Sequence, residues 1–333
     1  MQIGLRFIAW ALAVRLFCGL AGPVAAFLAK PEIGAFLIYL ETGRTVKPQI
    51  TPTQTEPVLQ ETQPTQTEPS LPLPQQTEPP QLSSFQPEDT ALIQVSNLSS
   101  YSVDLEKLLL SRLELEIPHG RPAVLIMHSH GTESYTQTAE HSYTASAAYR
   151  TLDTQCNMIR VGAALKEALE ALGIQVIHDQ TLHDYPSYTD AYVNSREAVE
   201  SYLREYPSLC LVIDLHRDAA DTVSGQLKTA IGVDGKRTAQ LMLVVGTDAS
   251  GRTHAGWEKN MALAVKLHAH LQIQFPGICR PISLRRERFN QDLSPGAILI
   301  EVGAAGDTLE DALAAVEALA LGIAELLKEG STS

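Results

Sequence analysis

Val124-Leu125-Ile126-Met127-His128-Ser129-His130-Gly131-Thr132-Glu133 is a short continuous apolar run that passes straight into imidazoles and a carboxylate. Four apolar residues with no alternation fit a strand covered on both faces. The same pattern recurs where Leu209–Ile213 runs into Asp214-Leu215-His216-Arg217-Asp218, and where Ala297-Ile298-Leu299-Ile300 runs into Glu301. Imidazoles and carboxylates delivered from the ends of several strands are what a one-metal hydrolase needs. Zinc takes neutral histidine nitrogen and carboxylate oxygen in a tetrahedral shell, with one position left for water.

Between these runs the chain alternates strand-like and helix-like stretches. Met158, Val161, Leu165, Leu169 and Leu172 form one apolar stripe of a helix that Gly173 stops. Ile174–Ile177 reads as a strand, Ala191–Tyr206 as a helix ended by Pro207, Leu241–Val245 as a strand, and Trp257–Ile273 as a helix. Leu309, Leu313, Val316, Ala320, Ile323 and Leu327 mark a final helix, with Asp307 and Glu310 as a box-like cap. This alternation predicts a single α/β domain, with a mostly parallel sheet and helices on both faces. Ligands in such sheets bind beyond the carboxyl ends of the strands, where His130, His216 and Glu301 are all predicted to lie.

The amino-terminal third is of another kind. Phe7–Ala29 is long enough to cross a bilayer, which takes ~20 apolar residues, although Arg15 interrupts it. Arg6 favours a cytoplasmic amino terminus. A cleaved secretory signal with Val24-Ala25-Ala26 at its processing site is the alternative, and a buried helix is a third. An uncleaved anchor is the preferred reading, and either export reading places the rest of the chain outside the cytoplasm.

Thr51–Pro80 is dominated by Pro, Gln, Thr and Glu, and Pro-Thr-Gln-Thr-Glu-Pro occurs at Pro52 and again at Pro64. Such a segment cannot bury enough surface to offset its ordering entropy and should be an extended tether, whether as a spacer or as drifted low-complexity sequence. The boundaries read as an anchor or signal region at 1–44, a linker at 45–98 and a folded domain at 99–330.

Lys plus Arg number 25 against 38 Asp plus Glu, a net charge of −13, with no basic run. That excludes nucleic acid as the expected partner. The four cysteines make no C-x-x-C pair. Cys210 reads as a small buried hydrophobe, and Cys156 with Cys279 could form one bridge. His119, His141, His183 and His254 read as solvated, His178 as a packing residue, and His268 and His270 as unable to share a helix face. His128 and His130, two apart, could point the same way. Either Asp214 or Asp218 could orient His216.

The region from about Ala123 to Glu325 resembles the stage II sporulation protein P family. The resemblance is carried by His128–Tyr135, by Asn157 through Val161-Gly162, and by Asp214–Asp218. Val244-Val245-Gly246 before Trp257 and Asn260, Phe289–Ser294 and Ile300-Glu301-Val302-Gly303 continue it in order, and Tyr39–Arg44 after the apolar amino terminus also matches.

The resemblance implies a zinc-dependent N-acetylmuramoyl-L-alanine amidase fold that cleaves between glycan and stem peptide, and family members are also described as cutting peptide crosslinks. It implies action on peptidoglycan in engulfment, beside stage II sporulation protein D and the membrane protein stage II sporulation protein M. His130 and His216 match the family's essential histidines and are implied as zinc ligands. Glu133 is the choice for the third ligand, with Asp153 as its rival. Glu301 is implied as the general base that takes a proton from zinc's water and returns it to the leaving amine. Arg217, Asn290 and Gln291 are candidates to hold substrate, unless Arg217 merely pairs with Asp218. Competing functions are another metal-dependent wall hydrolase, a deacetylase or carboxypeptidase, and a catalytically silent wall-binding scaffold.

Overall fold

A computed structural model of the chain describes residues 85–331, apart from 114, 116, 117, 119, 224 and 234. The predicted anchor, all of Thr51–Pro80 and the linker as far as residue 84 lie outside the described residues. Among the described residues, no helix is long and apolar enough to cross a membrane.

Seven strands form the central sheet: β1 (Val95–Asn97), β2 (Val124–Met127), β3 (Val176–His178), β4 (Leu211–Asp218), β5 (Leu241–Val245), β6 (Ile282–Leu284) and β7 (Ala297–Ala304). Their spatial order is β1-β6-β5-β7-β4-β2-β3. Every neighbouring pair is parallel except β5 with β7. The fold is thus mixed α/β with a mostly parallel sheet. The five α-helices of the described residues are α1 (Leu105–Leu110), α2 (Met158–Ala171), α3 (Ala191–Glu205), α4 (Trp257–Gln274) and α5 (Leu309–Ser331).

Side-chain alternation along the strands sorts the helices between the two faces. Leu211, Ile213 and Leu215 of β4, with Ile298, Ile300 and Val302 of β7, join residues of α1, α2, α4 and α5 in the main core. Val212, Leu125, Met127 and Ala297 point the other way, into a smaller core with Val199 of α3. One face therefore carries four helices and the other only α3. The predicted stripes explain the larger core: Met158, Val161, Leu165 and Leu169 of α2 are buried, as are Leu309, Val316, Ala320, Ile323 and Leu327 of α5.

Three expectations change. The domain begins before residue 99, because Val95–Asn97 pairs with Ile282–Leu284 as the sheet's edge strand and Phe85 is buried in the main core. Both strands span three residues, too short for a periodicity to show. The box capping α5 is Thr308 with Asp311, whose side chains accept from each other's backbone N–H. Asp307 instead accepts from the backbone of Thr229, Ala230 and Ala304. Finally, Cys156, Cys210 and Cys279 are all free thiols.

Candidate active site

β2 ends at Met127, and the chain turns through residues 129–132 instead of continuing extended. That turn separates the two imidazoles that strand alternation would have kept together. His128 drops to the main-core side, where its Nδ1 lies 2.8 Å from the Leu215 carbonyl and its Nε2 2.9 Å from Nε2 of His178. Burial, with the neighbouring His178, drives its pKa down to about 3, so it stays neutral. Gly162 of α2 sits so close that an added Cβ would meet Nε2 of both rings at 2.5 Å. His130 goes to the α3 side, with its ring 5.4 Å from that of His216 and stacked 4.5 Å from Tyr188.

β4 and β7 run in parallel register with Glu301 opposite His216, so both side chains leave the same face of the sheet. A bulge follows between Glu301 and Ala304, where Gly303 takes φ +69°. His216 and Glu301 thus lie within their strands, which run past the predicted ends to Asp218 and Ala304. Nε2 of His216 is 2.8 Å from both Asp214 Oδ1 and Ser129 Oγ. Its Nδ1 faces Glu133 Oε2 at 3.5 Å. Burial works against a charge on this ring, but Asp214 and Glu133 outweigh it and raise its pKa well above the usual value.

Glu133 is buried, and a bridge pairs its backbone with that of Arg150. Its Oε1 accepts from Arg150 Nη2 at 3.2 Å and lies 3.6 Å from Arg217 Nη1. Burial opposes ionisation, yet Arg217 and His216 pull its pKa down to about 2. Glu301 goes the other way: burial, reinforced by the Glu133 charge and only partly offset by His216, raises its pKa to about 8. Its Oε2 is buried with no hydrogen-bond partner.

His130, Glu133, His216 and Glu301 therefore come together, although they lie on three segments distant in sequence. Asp153 does not join them; it is exposed, and its carboxylate accepts from Gln155 N in the turn before α2. The three residues considered for holding substrate have other partners. Arg217 is buried, with Nε on the Ser134 carbonyl at 2.9 Å and Nη2 on that of Tyr149 at 2.8 Å. It does not pair with Asp218, which takes Arg280 at 2.7 Å. Asn290 donates to the Tyr192 carbonyl at 2.7 Å. Gln291 is buried where its amide bridges Gly246 N and the Val244 carbonyl, at the far end of β5 from Glu301. Asn290 and Gln291 thus spend their amides on bracing loops, whereas Arg217 also reaches Glu133.

Sequence reading passed over Asp184 and Arg150. Asp184, in the loop after β3, accepts from Thr132 Oγ1 at 2.5 Å and from Arg150 Nη1 at 2.7 Å. Neither residue sits in a metal-binding pattern, so only the folding of two loops onto the first motif exposes them. His183 and His254, read as solvated, are buried, and His183 pairs with Asp179 at 2.9 Å.

Two imidazoles and a carboxylate are the right kinds of donor for zinc. Glu133 Oε2, 3.5 Å from His216 Nδ1, and the unpartnered Glu301 Oε2 suit a nearby cation, which would take the place of the His216 Nδ1 proton. His216 also has its carboxylate partner, Asp214, on the nitrogen that would not bind metal. Among the described residues, no three His, Cys, Asp or Glu side chains stand at metal-ligand spacing. The set fits zinc in kind, and Glu133 would have to exchange its guanidinium partners for the ion.

The family model for stage II sporulation protein P (SpoIIP) matches residues 32–324. Stage II sporulation protein P of Bacillus subtilis (strain 168) is 28% identical over 213 residues, 60% of this chain and 50% of that protein. The chain thus spans about half the length of this curated relative. Among solved structures, it is similar to the N-acetylmuramyl-L-alanine amidase Ami1 from Mycobacterium smegmatis, with a TM-score of 0.38 and 14% identity over 64% of this chain and 99% of that one. It is also similar to the N-acetylmuramoyl-L-alanine amidase AmiC2 of Nostoc punctiforme, with a TM-score of 0.35 and 17% identity over 63% of this chain and 97% of that one. At such TM-scores the likeness does not itself establish a common fold. The motifs converging on the site and the family match over residues 32–324 lead to one assignment: the chain belongs to the stage II sporulation protein P family.

Proposed function

We propose that this chain is a peptidoglycan hydrolase, a zinc-dependent N-acetylmuramoyl-L-alanine amidase that also accepts peptide crosslinks and acts in engulfment during sporulation. The observation that carries the reading is the pairing of Glu301 with His216 across β7 and β4, with an unpartnered carboxylate oxygen on the same face as the imidazole. A proton-transferring group beside a polar cluster, on the thinly covered side of an α/β sheet, is the arrangement hydrolysis requires.

His130, Glu133 and His216 would hold the zinc. When bound, the ion would supply a Lewis acid that polarises the scissile carbonyl. Glu301 Oε2 takes a proton from the water that attacks this carbonyl carbon and delivers it to the amide nitrogen as the C–N bond breaks. The products are a carboxylate on the glycan and a free amine on the stem peptide. Burial raises the Glu301 pKa to about 8 in the metal-free protein, and a cation beside it would favour the ionised form needed to start. Asp214 and Ser129 orient His216, while Arg217 and Tyr135 tie the first motif to β4 and β7. The Tyr135 hydroxyl donates to the Val302 carbonyl at 2.8 Å, next to Glu301.

The apolar amino terminus supports a membrane anchor, with the catalytic domain outside the cytoplasm. Stage II sporulation proteins D and M are the partners the family suggests. The function is tested by incubating the full chain with purified peptidoglycan, with zinc and with chelator, and analysing the products by mass. Chelator-sensitive release of free stem peptides from intact glycan strands is expected. Glycan deacetylation with both parts still joined would replace the amidase reading.

A further inference from the structure

Each candidate ligand imidazole faces a carboxylate of its own. For His216 it is Asp214, at 2.8 Å. For His130 it is Asp184, whose Oδ2 lies 3.7 Å from Nδ1. That distance is too long for a hydrogen bond, and His130 Nδ1 is buried with no other partner. A shift of less than about 1 Å would close the gap to an ordinary N–H···O contact.

The surroundings hold Asp184 in place. Its side chain is fully buried, Oδ1 accepts from Thr132 N at 3.2 Å, and Oδ2 takes Thr132 Oγ1 and Arg150 Nη1. Through Nη2 the same guanidinium reaches Glu133, so Asp184 and Glu133 are tied to one point. Four residues on, Tyr188 lays its ring over both His130 and the Arg150 guanidinium, at 4.5 Å from each. One loop thus supplies an in-plane partner and a stacking partner for His130.

We propose that Asp184 is a positioning residue: it accepts the Nδ1 proton of His130, fixes the ring's tautomer and orientation, and leaves Nε2 with its lone pair. The alternative is that Asp184 only anchors Arg150 and the turn at Thr132. The consequence for metal retention rests on the zinc reading above, whereas the tautomer does not.

The test uses the metal-free full chain carrying histidine labelled with ring ¹⁵N. His130 should show the Nδ1–H tautomer, identified by loss of its signals in His130→Asn. Asp184→Asn should shift those signals and weaken zinc retention in chelator competition by about 10-fold or more, the usual scale for such outer partners. Thr132→Val removes a bond to Asp184 but not its charge, and should have a much smaller effect on both readouts. An Nε2–H tautomer in the unaltered chain overturns the proposal, without need of a foldable variant. Equal effects of Thr132→Val and Asp184→Asn overturn it too, because the network would then be structural. Should the unaltered chain retain no zinc, the metal reading fails while the tautomer still decides the role of Asp184.

Discussion

The two faces of the sheet differ in cover, and the difference shows where chemistry can reside. Four helices bury one face in a continuous apolar core, and α3 alone covers the other. His128 and His130 sample both sides from neighbouring positions. On the covered side, His128 is locked neutral between a carbonyl, His178 and Gly162. On the open side, His130 stands among carboxylates, guanidinium groups and exposed tyrosine. Ionisable groups are costly when buried unless paired, and on this side the buried Glu133, Asp184 and Asp214 each face a cationic or imidazole partner.

The sharpest way to break this contrast is to remove an imidazole from the open face. His216→Ala or His130→Ala should abolish both zinc retention and turnover, because a three-donor site that loses one imidazole no longer holds the ion in a competent geometry. Metal content after dialysis, followed by peptide release from peptidoglycan, checks both. Full activity in either variant would remove these residues from the site.

Glu301→Gln should keep the metal and lose the chemistry. The amide preserves shape but cannot accept the proton from water, so turnover should fall by about 100-fold or more. Loss of zinc along with activity would instead make Glu301 a ligand.

On the covered face the matching perturbation is Gly162→Ala. Its new Cβ would collide with both His128 and His178 rings, neither of which is a flexible chain end. Overpacking of this kind costs typically about 1–3 kcal/mol, so the variant should melt lower while its zinc stoichiometry persists. An unchanged melting temperature would show that the covered face is less tightly packed than these distances imply.

The last effect expected is one of pH. Glu301 has a folded pKa of about 8 against an ordinary 4.5. Between those values the folded metal-free protein keeps a proton that the unfolded chain has released, so this group's contribution to stability declines as pH rises from about 4.5 to about 8. Glu301→Gln carries no such penalty. Relative to the unaltered chain it should gain on the order of a few kcal/mol between pH 4 and pH 9, most of it by pH 8. Parallel thermal melts that keep a constant offset across this range would show that Glu301 is not held in its raised state.

Much of this was legible in the linear sequence. Apolar runs ending in His, Asp and Glu marked β2, β4 and β7, and helical stripes marked α2 and α5, because burial requires period and the residues supply it. The family motifs singled out His130, Glu133, His216 and Glu301. Other features had no local signal. The edge pair β1 and β6 is made of three-residue strands, recognisable only when they hydrogen-bond to each other. Asn290 and Gln291 belong to a family motif, yet backbone groups brought from α3 and β5 occupy their amides. Sequence by itself determined which residue types this protein brings to its strand ends, since that follows from hydrophobic period and motif. Tertiary structure alone decided which face each side chain meets: a turn after Met127 sent His128 and His130 to opposite sides of the sheet. Loops from distant parts of the chain then brought Asp184 and Arg150 to the second of them, because long-range packing and charge pairing leave no periodic trace in a sequence.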